Sequence, residues 1–213
     1  HYRQVNVWPR PYQSPHPPVW MTVMSPGSAA EAGSRGYSIA SLNTGYLRTP
    51  EIFEGYRKAA ADAGREAPKE RFGYLAIVGV GDTDQEGKRR ADQILDYSRT
   101  TPRAASQFWF PPGYTSNEIT AQMLYNRGPN MIPLRNGGEF KMQFGTVDEF
   151  IDAGVAFAGN PDTVFEQIKE FHQHVGGLGQ LLMMGQGGHI SHHDTVSNLQ
   201  LFSKEVLPRL ADL

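Results

Sequence analysis

The sequence predicts an α/β protein with a parallel sheet covered by helices, and three observations support this. Four apolar runs have the length of strands buried on both faces, at residues 19–24, 37–40, 72–80 and 179–184. Segments with helix-start signals follow these runs. Strands that alternate with helices in this order are typical of βαβ units, whose strands are parallel.

The helix starts are predicted by pairs of capping residues. Ser25 and Pro26 provide an N-cap and a first helical residue, and this helix is expected to end near Gly33 or Gly36. Thr49 with Pro50 starts a helix that ends at Gly64, and a capping box at Thr83 and Glu86 starts a helix to about Tyr97. Asn160 with Pro161 starts a helix that ends at Gly176. Asp194 is expected to cap a last helix, which Pro208 kinks or ends.

Residues 98–154 are predicted to form a long insertion within one domain that spans residues 1–213. This segment is rich in Pro, Gly and Asn and contains an aromatic cluster at residues 108–110. We expect one short helix in it, near residues 116–125, and a function or an oligomer contact, because long loops are uncommon in compact domains. At the start of the chain, residues 2–8 are expected to form an edge strand or a hairpin arm, and the proline-rich residues 9–18 an extended connector.

Composition narrows the function classes. The 20 Lys and Arg against 22 Asp and Glu give a net charge of −2, which argues against nucleic-acid binding. The absence of cysteine excludes disulfides, thiolate metal sites and thiol nucleophiles and suits the cytoplasm. The apolar runs are too short to span a membrane. The chain opens on His1 without an apolar leader, so no signal peptide is visible; since it also lacks an initiator Met, we expect it to begin inside a larger polypeptide.

The first candidate site lies where the first predicted strand meets its helix, at Met24, Ser25, Gly27 and Ser28. A helix N-terminus at the carboxyl end of a parallel strand presents free N–H groups and a positive dipole end to an anion. Gly27 would let a phosphate approach the backbone, and the two serine hydroxyls would donate hydrogen bonds. The alternative is an ordinary capped helix without a ligand.

A second candidate is the glycine-rich loop at residues 185–189, just after the last predicted strand. Such loops at the carboxyl ends of barrel strands often contact substrate or phosphate, but a tight turn that needs positive φ explains the glycines equally well.

The polar clusters predict neither a metal nor a catalytic residue. His192 and His193 are adjacent, so on a helix they diverge by about 100°. Together with His189 and Asp194 they are therefore expected to bind no metal, and Asp194 is interpreted as an N-cap. Three acidic side chains follow the third strand, but capping explains Glu86 and no acid–base pair is assigned; they are Asp82, Asp84 and Glu86.

Three segments in the right order resemble the bacterial-luciferase-like flavin-dependent monooxygenases. They are PYQSPHPPVWMTVMSPGSAAEAGSRG at residues 11–36, AGNPDTVFEQIKEF at 158–171 and LFSKEVLPRL at 201–210, and PPGYTS at 111–116 fits one branch. The resemblance implies a (β/α)8 barrel, of which the chain carries about the last four β/α units plus the insertion. It also implies a flavin that activates O2, usually reduced FMN supplied by a separate flavin reductase; some relatives use coenzyme F420.

The resemblance places the family's phosphate contacts at Met24, Ser25, Gly27 and Ser28. The family's catalytic His lies in the first half of the barrel, so no catalytic residue is assigned in this chain. We therefore expect an oxidation of a small apolar molecule. The alternatives are a non-enzymatic flavin-binding or dimer-forming relative and an inactive part of the enzyme.

The number of predicted strands indicates half a barrel, because a closed barrel of this class needs eight. Four parallel strands leave two sheet edges and one apolar face uncovered. We expect a missing N-terminal half to cover them, ahead of a second copy of the chain or an altered arrangement. The flavin site would then be incomplete, and the chain by itself would bind flavin poorly.

Overall fold

The computed structural model describes residues 8–14, 16–100, 116–118, 121 and 131–213. The strands are β1 (Trp20–Val23), β2 (Ser38–Leu42), β3 (Phe72–Val80), β4 (Met131–Pro133), β5 (Glu139–Lys141), β6 (Ala156–Gly159) and β7 (Gln180–Met184). The α-helices are α1 (Pro26–Arg35), α2 (Gly45–Asp62), α3 (Asp84–Thr100), α4 (Val147–Asp152), α5 (Pro161–His174), α6 (His192–Leu201) and α7 (Leu207–Leu210). A 3-10 turn at Lys69–Arg71 precedes β3, and a π-helical segment at Phe202–Val206 joins α6 to α7.

Strand β3 is the centre of an open parallel sheet. It pairs with β2, which pairs with β1, and it also pairs with β6 and β7. The Phe72 carbonyl accepts from Gly179, whereas the Ile77 N–H donates to Val155. Because alternate residues of a strand direct their polar groups to opposite edges, β7 and β6 lie on opposite edges of β3. All five strands therefore end at one edge of the sheet.

The predicted fold class is confirmed, but the predicted number of strands is wrong. The four predicted strands correspond to β1, β2, β3 and β7, while β6 is a fifth parallel strand. The sequence of β6 is only AFAG, although all four residues are buried. A run so short, with two alanines and a glycine, has little of the branched or aromatic character that marks strands.

Helix α2 begins earlier than predicted. Pro50 lies inside this helix, and the N-cap is Thr44 rather than Thr49. A proline inside a helix leaves the carbonyl four residues earlier without its usual donor. Here that carbonyl belongs to Tyr46, and the Nε2 atom of His174 on α5 lies 2.9 Å from it and donates to it. Tertiary packing thus supplies the hydrogen bond that Pro50 removes.

The insertion contains more regular structure than predicted. An antiparallel hairpin of β4 and β5 and the helix α4 occupy its described C-terminal part, where Phe140 packs edge-on against Phe150. The short helix expected at 116–125 lies largely outside the described residues. The aromatic cluster at 108–110 and the edge strand expected at residues 2–8 also fall there, apart from Trp8.

The two faces of the sheet differ in their covering. One face packs against helices and carries fully buried side chains such as Val23, Ile39 and Tyr74. On the other face the side chains of Trp20 and Leu182 are exposed and approach each other over Gly73, which has no side chain of its own. These two side chains leave this part of the sheet face open to solvent. No helix in the described ranges combines the length and apolar character needed to cross a membrane.

Candidate functional site

The first candidate site lies at the carboxyl edge of the sheet, as predicted. Ser25 is the N-cap of α1, and its Oγ accepts from the Ser28 N–H at 3.3 Å. The Ser28 Oγ donates to the Ser25 carbonyl at 3.0 Å, so both hydroxyls are held in place. A Cβ on Gly27 would meet no atom within 4 Å, and its N–H has no partner in the described part of the chain. The side chain of Met24 is exposed beside them.

This arrangement fits the terminal phosphate of a flavin. It offers an unpartnered N–H at a helix N-terminus and open space over Gly27, while the Ser28 hydroxyl would have to release the Ser25 carbonyl before it could donate to a phosphate. The N-cap at Ser25 is confirmed, whereas the ligand contacts of Met24, Ser25, Gly27 and Ser28 stay a prediction.

The second candidate site, the loop at residues 185–189, is bound to helix α3. Gly188 has a φ of 56°, and a Cβ on it would overlap the Gln93 carbonyl oxygen, so the turn requires a glycine here, while a contact of the loop with substrate or phosphate stays a prediction. The His189 N–H donates to the same oxygen, and its Nδ1 lies 2.9 Å from Oδ2 of Asp96. Gln186 is exposed between these anchors.

The histidines near this loop are not arranged around a common point. His189 pairs with Asp96, while His192 and His193 occupy the first turn of α6. Within residues 8–14, 16–100, 116–118, 121 and 131–213, no three His or acidic side chains form a metal-binding group. The prediction that Asp194 caps α6 is wrong. Ser191 is the N-cap, and its Oγ accepts from the Asp194 N–H.

The carboxylate of Asp194 instead forms ion pairs with α3. Arg89 binds both of its oxygens, at 3.0 and 3.2 Å, and Nε of Arg90 lies 3.4 Å from Oδ1. Hydrogen bonds from Arg89 are the main cause that lowers the pKa of Asp194 to about 2, with further contributions from Ser191 and Arg90. Asp194 therefore attaches α6 to α3.

Arg90 is a buried cation that the sequence analysis missed. Its side chain is 2% exposed; Nη1 donates to the Val80 carbonyl at 2.6 Å, and Nη2 donates to Oε1 of Glu86 at 2.6 Å and to Ser197. Half of the predicted capping box is present, because Oγ1 of Thr83 accepts from the Glu86 N–H, whereas the Glu86 side chain accepts from the Asp82 N–H rather than from that of Thr83. The spacing of four residues between Glu86 and Arg90 on one helix is the signal that was available.

Asn198 is another buried polar residue that the sequence analysis missed. Its side chain is fully buried, its Oδ1 accepts from the Val80 N–H at 2.7 Å, and its Nδ2 donates to the carbonyls of Val78 and Gly185. No sequence signal distinguishes this asparagine from an exposed one, because all three of its partners are backbone groups of distant residues.

We expect Asp194→Asn to destabilise the protein by about 2 kcal/mol at pH 6, because a charge-assisted pair to two arginines is lost. The folded-state pKa of Asp194 lies below the unfolded value, so its contribution is present above about pH 4 and is lost as the pH falls towards 2. Urea unfolding of both proteins between pH 6 and pH 2 measures this.

The control for this prediction is Asp162→Asn, which removes an exposed ion pair with Arg209. It should change the free energy of unfolding by less than about 1 kcal/mol at every pH. A difference between wild type and Asp194→Asn that stays constant down to pH 2 would contradict the prediction.

The chain belongs to the luciferase-like monooxygenase family, because the sequence profile of that family matches residues 1–176. It is 26% identical over 182 residues to a 3,6-diketocamphane 1,6-monooxygenase of Pseudomonas putida, covering 84% of this chain and 43% of the relative. A 2,5-diketocamphane 1,2-monooxygenase of the same organism is 24% identical, with 84% and 45% covered. The chain thus spans less than half the length of the curated relatives it matches.

Solved structures of the same group share the fold. A monooxygenase from Streptomyces bottropensis superposes with a TM-score of 0.66 at 18% identity, covering 95% of this chain and 51% of that one. The oxygenating constituent of the Pseudomonas putida 3,6-diketocamphane monooxygenase, a type II Baeyer–Villiger enzyme in complex with FMN, gives 0.57 at 24% identity, with 91% and 49% covered. These matches confirm the luciferase-like (β/α)8 barrel class. This chain covers about half the length of each matched structure.

Proposed function

We propose that this chain is part of a flavin-dependent monooxygenase that uses reduced flavin and O2 to oxidise a small apolar molecule. The observation that carries the proposal is the family membership, combined with an open helix N-terminus at the carboxyl edge of a parallel sheet. In α/β proteins, ligands bind at this edge. When bound there, reduced flavin would supply the electrons that activate O2.

FMN is the cofactor that we favour. The diketocamphane enzyme with a similar fold is described in complex with FMN. Structures of F420-dependent enzymes, such as a tetrahydromethanopterin reductase from Methanopyrus kandleri with a TM-score of 0.50 at 17% identity, keep F420 as the second candidate. Both cofactors present a phosphate group, so Ser25, Gly27 and Ser28 would hold either one, with Met24 beside them.

The partners follow from this chemistry. A separate flavin reductase would supply the reduced flavin, which places the protein in the cytoplasm with the pool of reduced nicotinamide. We propose that residues 1–213 form one domain and that further polypeptide covers the exposed face with Trp20 and Leu182. The remaining part of the barrel is the favoured cover, because the similar chains are about twice as long, and a second copy of this chain is the alternative.

The experiment uses the complete protein that the native gene encodes. FMN is titrated first, and oxygen uptake is then measured with NADH, a flavin reductase and a camphor-derived diketone as the first substrate. We expect substrate-dependent oxygen uptake and a product heavier by one oxygen atom. FMN binding without turnover on any apolar ketone would indicate the non-enzymatic relative, and the absence of FMN and F420 binding would refute the proposal.

We predict that Gly27→Asp weakens flavin binding at least tenfold, which is about 1.4 kcal/mol, because its carboxylate would repel the phosphate and occupy the open space over the helix N-terminus. A fluorescence titration of FMN measures the dissociation constant of the variant and of the wild type.

Gly27→Asn is the matched control, because it has nearly the same size without the charge. It should weaken binding less than Gly27→Asp does, and both variants should unfold like the wild type, since no protein atom lies near the added side chain. An unchanged dissociation constant in Gly27→Asp would show that the flavin phosphate does not bind at this helix N-terminus.

A further inference from the structure

Asn198 occupies a place where a strand would otherwise lie. The ladder between β3 and β7 ends at Ile77 and Met184. Beyond that point, Val78 and Val80 direct their polar groups to the same edge of β3, since they alternate in register with Phe72. The Asn198 amide binds both of these groups, through the Val78 carbonyl and the Val80 N–H.

The same amide also binds the end of β7. Its Nδ2 donates to the Gly185 carbonyl at 3.1 Å, and a Cβ on Gly185 would lie 3.3 Å from Nδ2. One fully buried side chain therefore connects β3 with the first residue of the glycine-rich loop. The other end of that loop is bound to α3 through Gly188 and His189.

The orientation of Asn198 is itself fixed by charged groups one turn away. Asp194 and Ser197 on the same helix bind Arg90, whose Nη1 donates to the Val80 carbonyl. The N–H of Val80 is thus held by Asn198 and its carbonyl by Arg90. Helix α6 thus binds Val80 directly through Asn198 and indirectly through Arg90 of α3, which leaves the Asn198 amide little freedom to move.

We propose that Asn198 is a positioning residue that sets the loop at residues 185–189 relative to the carboxyl end of β3. An exposed residue of the loop, Gln186, would then be held at the edge where the proposed flavin and substrate bind. This second step rests on the proposed function, whereas the positioning of the loop does not.

The test compares Asn198→Asp with Val206→Ala. The aspartate keeps the shape and the acceptor for Val80 but places an oxygen against the carbonyls of Val78 and Gly185. Val206 is fully buried in the segment after α6, so its truncation destabilises the same region without touching the loop. Hydrogen exchange is followed by mass spectrometry in peptides that cover residues 183–191 and residues 26–36.

The quantity compared is the ratio of the exchange rate in the loop peptide to that in the α1 peptide. We expect Asn198→Asp to raise this ratio about tenfold and Val206→Ala to leave it unchanged. If Asn198→Asp does not fold, Asn198→Ala carries the same comparison, because it removes the donor without adding charge. An exchange ratio equal in the position-198 variant and in Val206→Ala would overturn the proposal.

A second measurement connects the loop to the ligand. FMN is titrated into wild type, the Asn198 variant and Val206→Ala, and we expect at least fivefold weaker binding in the Asn198 variant alone. Equal affinities in all three, with a loosened loop, would overturn the role of the loop in ligand binding. Wild type that binds no FMN would contradict the proposed function, while the exchange ratio would still decide the positioning role.

Discussion

Arg90→Met is expected to lower the free energy of unfolding by about 3–5 kcal/mol, because it removes one member of a buried charge cluster. Arg90 is 2% exposed and donates to Glu86, Ser197 and the Val80 carbonyl. Methionine fills a similar length but has no donor, so the Glu86 carboxylate and the Val80 carbonyl would lose their buried partner. Urea unfolding at pH 7, followed by circular dichroism, measures the loss.

Arg89→Met is the matched control for this prediction. Arg89 is the neighbouring residue on the same helix and also binds Asp194, but its side chain is 47% exposed. Water would replace the lost partner at this position, so we expect a loss of no more than about 1 kcal/mol. Equal losses of unfolding free energy in the two variants would show that the burial of Arg90 does not determine how much its charge cluster stabilises the protein.

Gly87→Ala is expected to destabilise the protein by about 2–3 kcal/mol, although alanine is the better helix former by about 1 kcal/mol. A Cβ on Gly87 would overlap the Gly159 carbonyl oxygen at the end of β6, and a Cβ on Gly79 of β3 would overlap the Gly87 carbonyl oxygen. Helix α3 thus lies against the backbone of two strands and would have to move away. Thermal and urea unfolding of the variant give the size of the effect.

Gly27→Ala separates this clash from the intrinsic preference of a helix for alanine. Gly27 is also helical, but the added methyl group would meet no atom within 4 Å. We expect its free energy of unfolding to rise by up to about 1 kcal/mol, since only the helix preference for alanine acts here. A Gly87→Ala variant as stable as Gly27→Ala would mean that α3 can shift without cost.

Much of the fold could be predicted from local patterns. The strand β3 was predicted at its observed bounds, because a run of nine apolar or small residues fits a strand covered on both faces. The starts of α1 and α5 were predicted from Ser25 with Pro26 and from Asn160 with Pro161, because capping bonds join residues three positions apart. The first candidate site depends on such a cap, so its position in the fold could be predicted, though its ligand remains a proposal.

The tertiary structure decided the features that depend on distant partners. Pro50 is tolerated inside α2 because His174 donates to the carbonyl of Tyr46, and no local pattern connects residues 128 positions apart. Asn198 and Arg90 are buried because they bind backbone groups of β3 that the neighbouring strand does not reach. Sequence periodicity records which face of an element is apolar, whereas the partner of a buried polar group is fixed only when the elements pack together.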